Sequence, residues 1–158
     1  MGAMMPGMQQ EVRNRILLCI DELQLMLPQG EVCAVESAAD VRRDETLAPA
    51  IGQIAYLGQN WPVLCLDGEF TAMDVLAPGR RACVMLATGK GFLGLLCDDV
   101  RVLKQPGTED YSLPVAMRTA NTPVRALMQF ESGLACISDT SHLLQFGAMA
   151  KVLQQGRS

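Results

Sequence analysis

The chain has 158 residues, 49% of them hydrophobic but only 4% aromatic, and a net charge of −4. That length buries one core, and the core is aliphatic, with ten methionines as soft filler. A pI of about 4.9 and 13 Lys plus Arg scattered in ones and twos disfavour a nucleic-acid face, and no apolar run approaches the ~18 residues of a membrane span.

Residues 1–13, Met- and Gln-rich without a period, predict a loose tail. "RILLCI" (15–20), "DE" (21–22) and "LQLMLP" (23–28) predict a hairpin with a tight turn. "PQGEV" (28–32) predicts a turn or one helical turn, and "VCAVESA" (32–38) a third strand. "DVRRDET" (40–46) is a polar loop. A strand is expected from about Val63 to Leu66, with Pro62 at its entry. "APG" (77–79) punctuates the middle of the chain. "ACVMLA" (82–87) is apolar on both parities, as a core strand can be, and "TGKG" makes a hairpin loop into "FLGLLC".

"DVRVL" (99–103) then alternates, with a corner expected at Asp98. "KQPGTEDYSLP" (104–114) reads as a polar connection. "VRALMQF" (124–130), "ESG" and "LACIS" (134–138) predict another hairpin. "DTSHLLQFGAMAKVLQ" predicts one helix, capped by Asp139, Thr140 or Ser141 and weakened by Gly147. About nine or ten short strands with one C-terminal helix predict a mainly β fold of small barrels or a sandwich. Two sub-barrels divided near residues 75–80 fit the pause at "APG". The expected domain runs over 14–147, with a helix end and tail over 148–158.

Signatures of chemistry are sparse. "ATGKGF" has the wrong spacing for a phosphate loop, and neither G-x-G-x-x-G nor G-x-S-x-G occurs. Cys19, Cys33, Cys65, Cys83, Cys97 and Cys136 lack paired spacing, and His142 is the only histidine. Reduced, mostly buried thiols are expected, without a zinc site or a disulfide framework. No catalytic residue, metal or cofactor is predicted. The acid pair Asp98–Asp99 is the one suggestive feature. Successive strand residues point to opposite faces, so the two cannot share one metal on a straight strand. A structural Asp98 that accepts backbone N–H bonds across the corner, with Asp99 in solvent, is the better reading. An enzyme using either acid with His142 is the weaker one.

Four blocks together resemble the CheW-like domain family. "GFLGLLCDDVRVL" is similar to its G-[LIV]-[LIV]-V-D-x-V string, with Gly94 to Val100 in those positions. "IGQIAYLGQNWPVLCLD" resembles its two glycines before a P-[IV]-[IV]-D-L strand, through Gly52, Gly58, Pro62, Val63, Leu64 and Leu66. "VRALMQFESGLACISDTSHLL" resembles the closing hairpin and helix. "ILLCIDELQLMLPQGEVCAV" resembles the opening, with Val32 and Val35 at apolar positions. The match spans residues 14 to 147, in order.

The resemblance implies two five-stranded barrels around a shared hydrophobic core, in a non-enzymatic, cofactor-free adaptor. Such adaptors couple a chemoreceptor to a chemotaxis-type histidine kinase in bacterial signal transduction. One barrel pairs with the kinase's regulatory domain, and the groove between barrels takes the receptor's helical tip. Carried onto this sequence, the partner-facing residues are Val32, Ala34, Leu57, Asn60, Gly94, Val100 and Leu103. The implied site is cytoplasmic, at membrane receptor arrays, without direct membrane insertion or nucleic-acid binding.

The chain also departs from the pattern. Leu57 replaces the arginine of an N-L-R-G loop, Asn60 and Trp61 replace aliphatic residues, Cys65 replaces the strand's aspartate, and Ala34 is often acidic in the family. An altered partner surface follows, as in a specialised adaptor of a type IV pilus or twitching system. The alternative is a small OB-like barrel that binds a ligand or nucleic acid, which needs exposed aromatics and a basic groove.

Overall fold

The computed structural model describes residues 14–43, 49–103, 110–112, 124–130, 133–145 and 147–155. The expected tail and parts of the 40–46 and 104–114 connections lie outside them. The first hairpin pairs β1 (Arg15–Ile20) with β2 (Leu23–Pro28), Ile20 facing Leu23 across the turn. Asp21 takes φ 55, a left-handed conformation that Asp tolerates better than most residues. Both faces of this hairpin are covered. Ile16, Leu18, Ile20, Leu25 and Leu27 enter the main core, while Leu17 and Met26 pack on Met128, Ala135 and Ile137 behind it. That is why both parities of the two strings are apolar.

A single 3-10 turn (Gln29–Glu31) leads into β3 (Val32–Ser37). Two further hairpins follow: β4 (Gly52–Tyr56) with β5 (Gln59–Leu64), and β6 (Ala82–Thr88) with β7 (Gly91–Cys97). These five form one sheet in the order β3-β6-β7-β5-β4. After a bend at Asp98 the chain returns to the first hairpin as β8 (Asp99–Leu103), antiparallel to β1. With β9 (Asp110–Ser112), β10 (Ala126–Phe130) and β11 (Gly133–Ile137) it completes a six-stranded sheet, β8-β1-β2-β11-β10-β9. Two short helices close the fold, α1 (Thr140–Leu143) and α2 (Gly147–Gln155).

The fold is mainly β, with two β subdomains on a common core. That core takes Leu18 and Leu25 from one sheet, Val84, Leu86 and Leu93 from the other, and Leu143, Met149 and Val152 from the helices. No helix among the described residues is long and apolar enough to cross a membrane.

Several expectations need correction. Residues 75–80 do not divide the subdomains; they link β5 to β6 within one sheet. The chain changes sheets at Val32 and again at Asp98, so the second subdomain is inserted into the first. β4 escaped notice because only Gly52 and Ile54 of its residues are buried, too thin an alternation to read. Pro62 lies inside β5 rather than at its entry. It is tolerated because Gln53 opposite directs both backbone groups to Arg42, leaving the Gln53–Pro62 pair without mutual hydrogen bonds. β9 arises within the expected polar connection and adds a short edge strand to the first sheet. The single C-terminal helix is two, because Gly147 has φ 46, incompatible with a right-handed helix running through it.

Candidate interaction surface

Among the described residues β3 is an edge strand, with β6 as its one neighbour in the sheet. Its register shifts between Val32, opposite Leu86, and Ala34, opposite Met85, so Cys33 bulges out. The bulge flips parity. Val32 packs against the main core, whereas Ala34 packs against a second cluster on the other face of the sheet. Val35 is 48% exposed. The result is an apolar edge with an unpartnered side, a form that invites association.

The β4–β5 hairpin carries Leu57 at its tip, 72% exposed. Leu57 at φ 51 and Gly58 at φ 82 have the two left-handed residues of a type I′ turn. The tip rests on a firm base. Trp61 Nε1 donates to the Tyr56 carbonyl at 2.9 Å, and Phe92 meets Tyr56 and Trp61 edge-on, centroids 4.9 and 5.3 Å apart. Gly91 makes room for this, since a Cβ there would overlap the Trp61 ring. Asn60 is exposed beside the tip.

Gly94 sits at the centre of β7, in one transverse row with Ala34, Met85 and Val63. A Cβ on Gly94 would come within 2.7 Å of Cys83 Sγ and 3.0 Å of Val63 Cγ2. Val100 packs against the main core and Leu103 against the cluster behind the first hairpin. The seven residues therefore fall in three places. Ala34 and Gly94 share a face, but β3 and β4 are opposite edges of their sheet, four strand spacings or roughly 19 Å apart. Val100 and Leu103 belong to the edge of the other sheet.

The acid pair resolves into unequal parts. Asp98 Oδ2 accepts the Asp21 N–H at 2.7 Å, and its Oδ1 meets Arg80 Nη1 at 2.6 Å. Arg80, 5% exposed, also donates to Asp21 Oδ1 at 2.9 Å and to the Leu66 carbonyl at 2.6 Å. The guanidinium hydrogen bond holds the Asp21 carboxyl below its ordinary range, and that pairing raises the arginine in return. Asp99 is exposed and accepts its neighbour Val100's N–H at 2.9 Å. Asp139 caps α1 by accepting the His142 N–H at 2.7 Å.

Sequence reasoning missed Arg80, which sat in "APGRR" as mere punctuation. Nothing in a local pattern marks an arginine whose partners are 59 and 18 residues away. Burial pushes the Cys83 thiol up to about 12 and Cys97 well above its usual value, so neither is a ready nucleophile. Among the described residues, no three His, Cys, Asp or Glu side chains are placed to hold a metal ion.

No family model matches the sequence, and no curated protein matches it. Among solved structures, the fold is similar to that of the scaffolding protein TtCheW from Thermoanaerobacter tengcongensis. The two are 20% identical with a TM-score of 0.59, over 79% of this chain and 87% of that one. The chain has a CheW-like fold.

Proposed function

We propose that this protein is a non-enzymatic adaptor that couples a chemoreceptor to a chemotaxis-type histidine kinase. The CheW-like fold carries this reading, and the apolar, unpartnered edge of β3 gives it a surface to work with. Val32 and Ala34 are the proposed contacts with the kinase regulatory domain. Leu57 and Asn60 at the exposed hairpin tip, and Val100 and Leu103 on the edge of the other sheet, are the proposed contacts with a receptor tip, while Gly94, buried in the sheet, is proposed to shape that surface from beneath. An apolar Leu57 in place of a cation changes which tip fits, and a specialised pilus or twitching system accommodates that change. Such an adaptor works in the cytoplasm, at receptor arrays. The nucleic-acid alternative loses ground because Tyr56, Trp61 and Phe92 pack on one another instead of offering free ring faces.

The test is size-exclusion co-migration of the purified chain with the regulatory domain of each chemotaxis-type kinase from the same organism. Co-migration with one of them, lost in Ala34→Arg, is the expected result. Failure with every one overturns the reading.

A further inference from the structure

We propose a second docking site, where the β1–β2 turn faces the 67–70 loop, that takes a basic amphipathic helix of a partner protein. It goes beyond the adaptor reading and does not depend on it. An open cavity of about 600 Å³ lies there. Its floor is apolar: Leu23 and Cys136 are half-buried, and Leu134 is 59% exposed. β11, which carries Leu134, is an interior strand, between β2 and β10. A large aliphatic side chain left open on an interior strand beside a cavity is a natural anchor point.

The rim has one sign of charge. Glu22 and Glu69 are exposed carboxylates, and among the described residues they form no ion pair and no Lys or Arg lines the cavity. Asp21 adds a third acid, already engaged by Arg80. An apolar floor below an acidic rim is complementary to a helix bearing Leu-type side chains flanked by Lys or Arg.

Both walls are set before any partner arrives. Asp98 and Arg80 fix the Asp21 turn through its N–H and its carboxylate. Asp67 Oδ1 fixes the other wall by accepting the N–H groups of Glu69 at 2.8 Å and Thr71 at 3.0 Å. A rigid site loses little entropy on binding. The cavity holds a few side chains of one helix, not a folded domain.

The test is fluorescence anisotropy with the full chain and a labelled synthetic Leu/Lys amphipathic helix of about four turns. Two control peptides exchange Lys for Glu, or Leu for Gln. The Leu/Lys peptide is expected to bind and both controls to fail. Glu22→Gln with Glu69→Gln should weaken binding roughly fivefold. Leu134→Gln should weaken it roughly tenfold, while Asp99→Asn, which removes an exposed acid elsewhere, leaves it unchanged. All of these positions are exposed, so circular dichroism should report native folding for each variant. No binding, equal binding by every variant, or binding of the Leu-less peptide that disappears with salt overturns the proposal; the last result means general charge attraction only.

Discussion

Arg80 Nη1 stands 2.6 Å from Asp98 Oδ1 and 2.9 Å from Asp21 Oδ1, deep enough that the arginine side chain is 1% exposed. One buried cation thereby joins the corner where the chain changes sheets to the turn of the first hairpin. Removing one partner of a buried pair leaves the other charge uncompensated. Asp98→Ala is expected to lose about 3 kcal/mol of stability in urea unfolding. Asp99→Ala, next along the chain but in solvent, should fall within about 0.5 kcal/mol of the native protein. Arg80→Lys should also destabilise the fold, since an ammonium cannot reproduce the planar fork that spans two carboxylates and a carbonyl. Equal effects at Asp98 and Asp99 would remove the hub from the account.

Asp21 gives the same hub a pH signature. Its folded pKa lies below the ordinary 3.8, chiefly through the hydrogen bond from Arg80. The folded state thus favours the ionised form. The stabilisation is complete above the unfolded pKa and is lost as pH falls through the folded one. In acid titration followed by circular dichroism, Asp21→Asn should flatten the loss of stability below about pH 4. An unchanged acid limb would show that the ion pair does not contribute.

Much of the strand pattern was legible because the first hairpin and β6–β7 are buried on both faces, and their strings are almost wholly apolar, with Arg15, Gln24 and Thr88 the polar exceptions. The Asp98 corner was legible too, since an apolar run ending in two acids before an alternating pair has few other solutions. Other features lacked a local cause. The inserted subdomain depends on which strands pair, and β8 pairing with β1 joins residues 80 or more apart in sequence. Arg80 is defined by three acceptors brought in from three segments. Gly147 was suspected of weakening a helix, but its left-handed backbone is a tertiary outcome. The seven partner-facing residues came from resemblance, and nothing in their spacing foretold three separate locations.

Gly94 is the place where a single methyl should matter. A Cβ there meets Cys83 Sγ at 2.7 Å and Met85 Sδ at 3.5 Å, with Val63 Cγ2 closing the other side. Gly94→Ala is expected to cost about 1–3 kcal/mol through overpacking, and Gly94→Arg to abolish folding or partner binding. Trimming the neighbour should relieve it: Cys83→Ala in the Gly94→Ala background should recover part of the loss, measured as non-additive thermal unfolding. Additive losses would mean that the close approach is not the cause.

Leu57 separates stability from recognition. A left-handed backbone costs an L-residue about 1–2 kcal/mol, and glycine escapes that penalty while losing about 0.5–1 kcal/mol of its own freedom. Leu57→Gly should therefore leave thermal stability equal or slightly higher, because the 72% exposed side chain contributes little packing. The same change should weaken partner binding if the tip is an anchor. A stability loss above about 1 kcal/mol would show instead that Leu57 packs within its own fold.

The thiols predict both an order of reaction and an alkaline limit. Cys33 bulges from β3 and is exposed, whereas Cys83 and Cys97 are buried with their pKa values raised, first by desolvation. Alkylation of the folded protein near neutral pH should modify Cys33 first and spare Cys83 and Cys97 until unfolding. For Cys83 the folded value is about 12 against an ordinary 9.0. The unfolded chain releases this proton first as pH rises. The contribution is therefore full below pH 9 and declines between 9 and 12. Cys83→Ala should make the alkaline limb of a stability–pH curve shallower while lowering the plateau, through the cavity it leaves. A variant whose alkaline limb overlays that of the native protein would place the proton release at other groups.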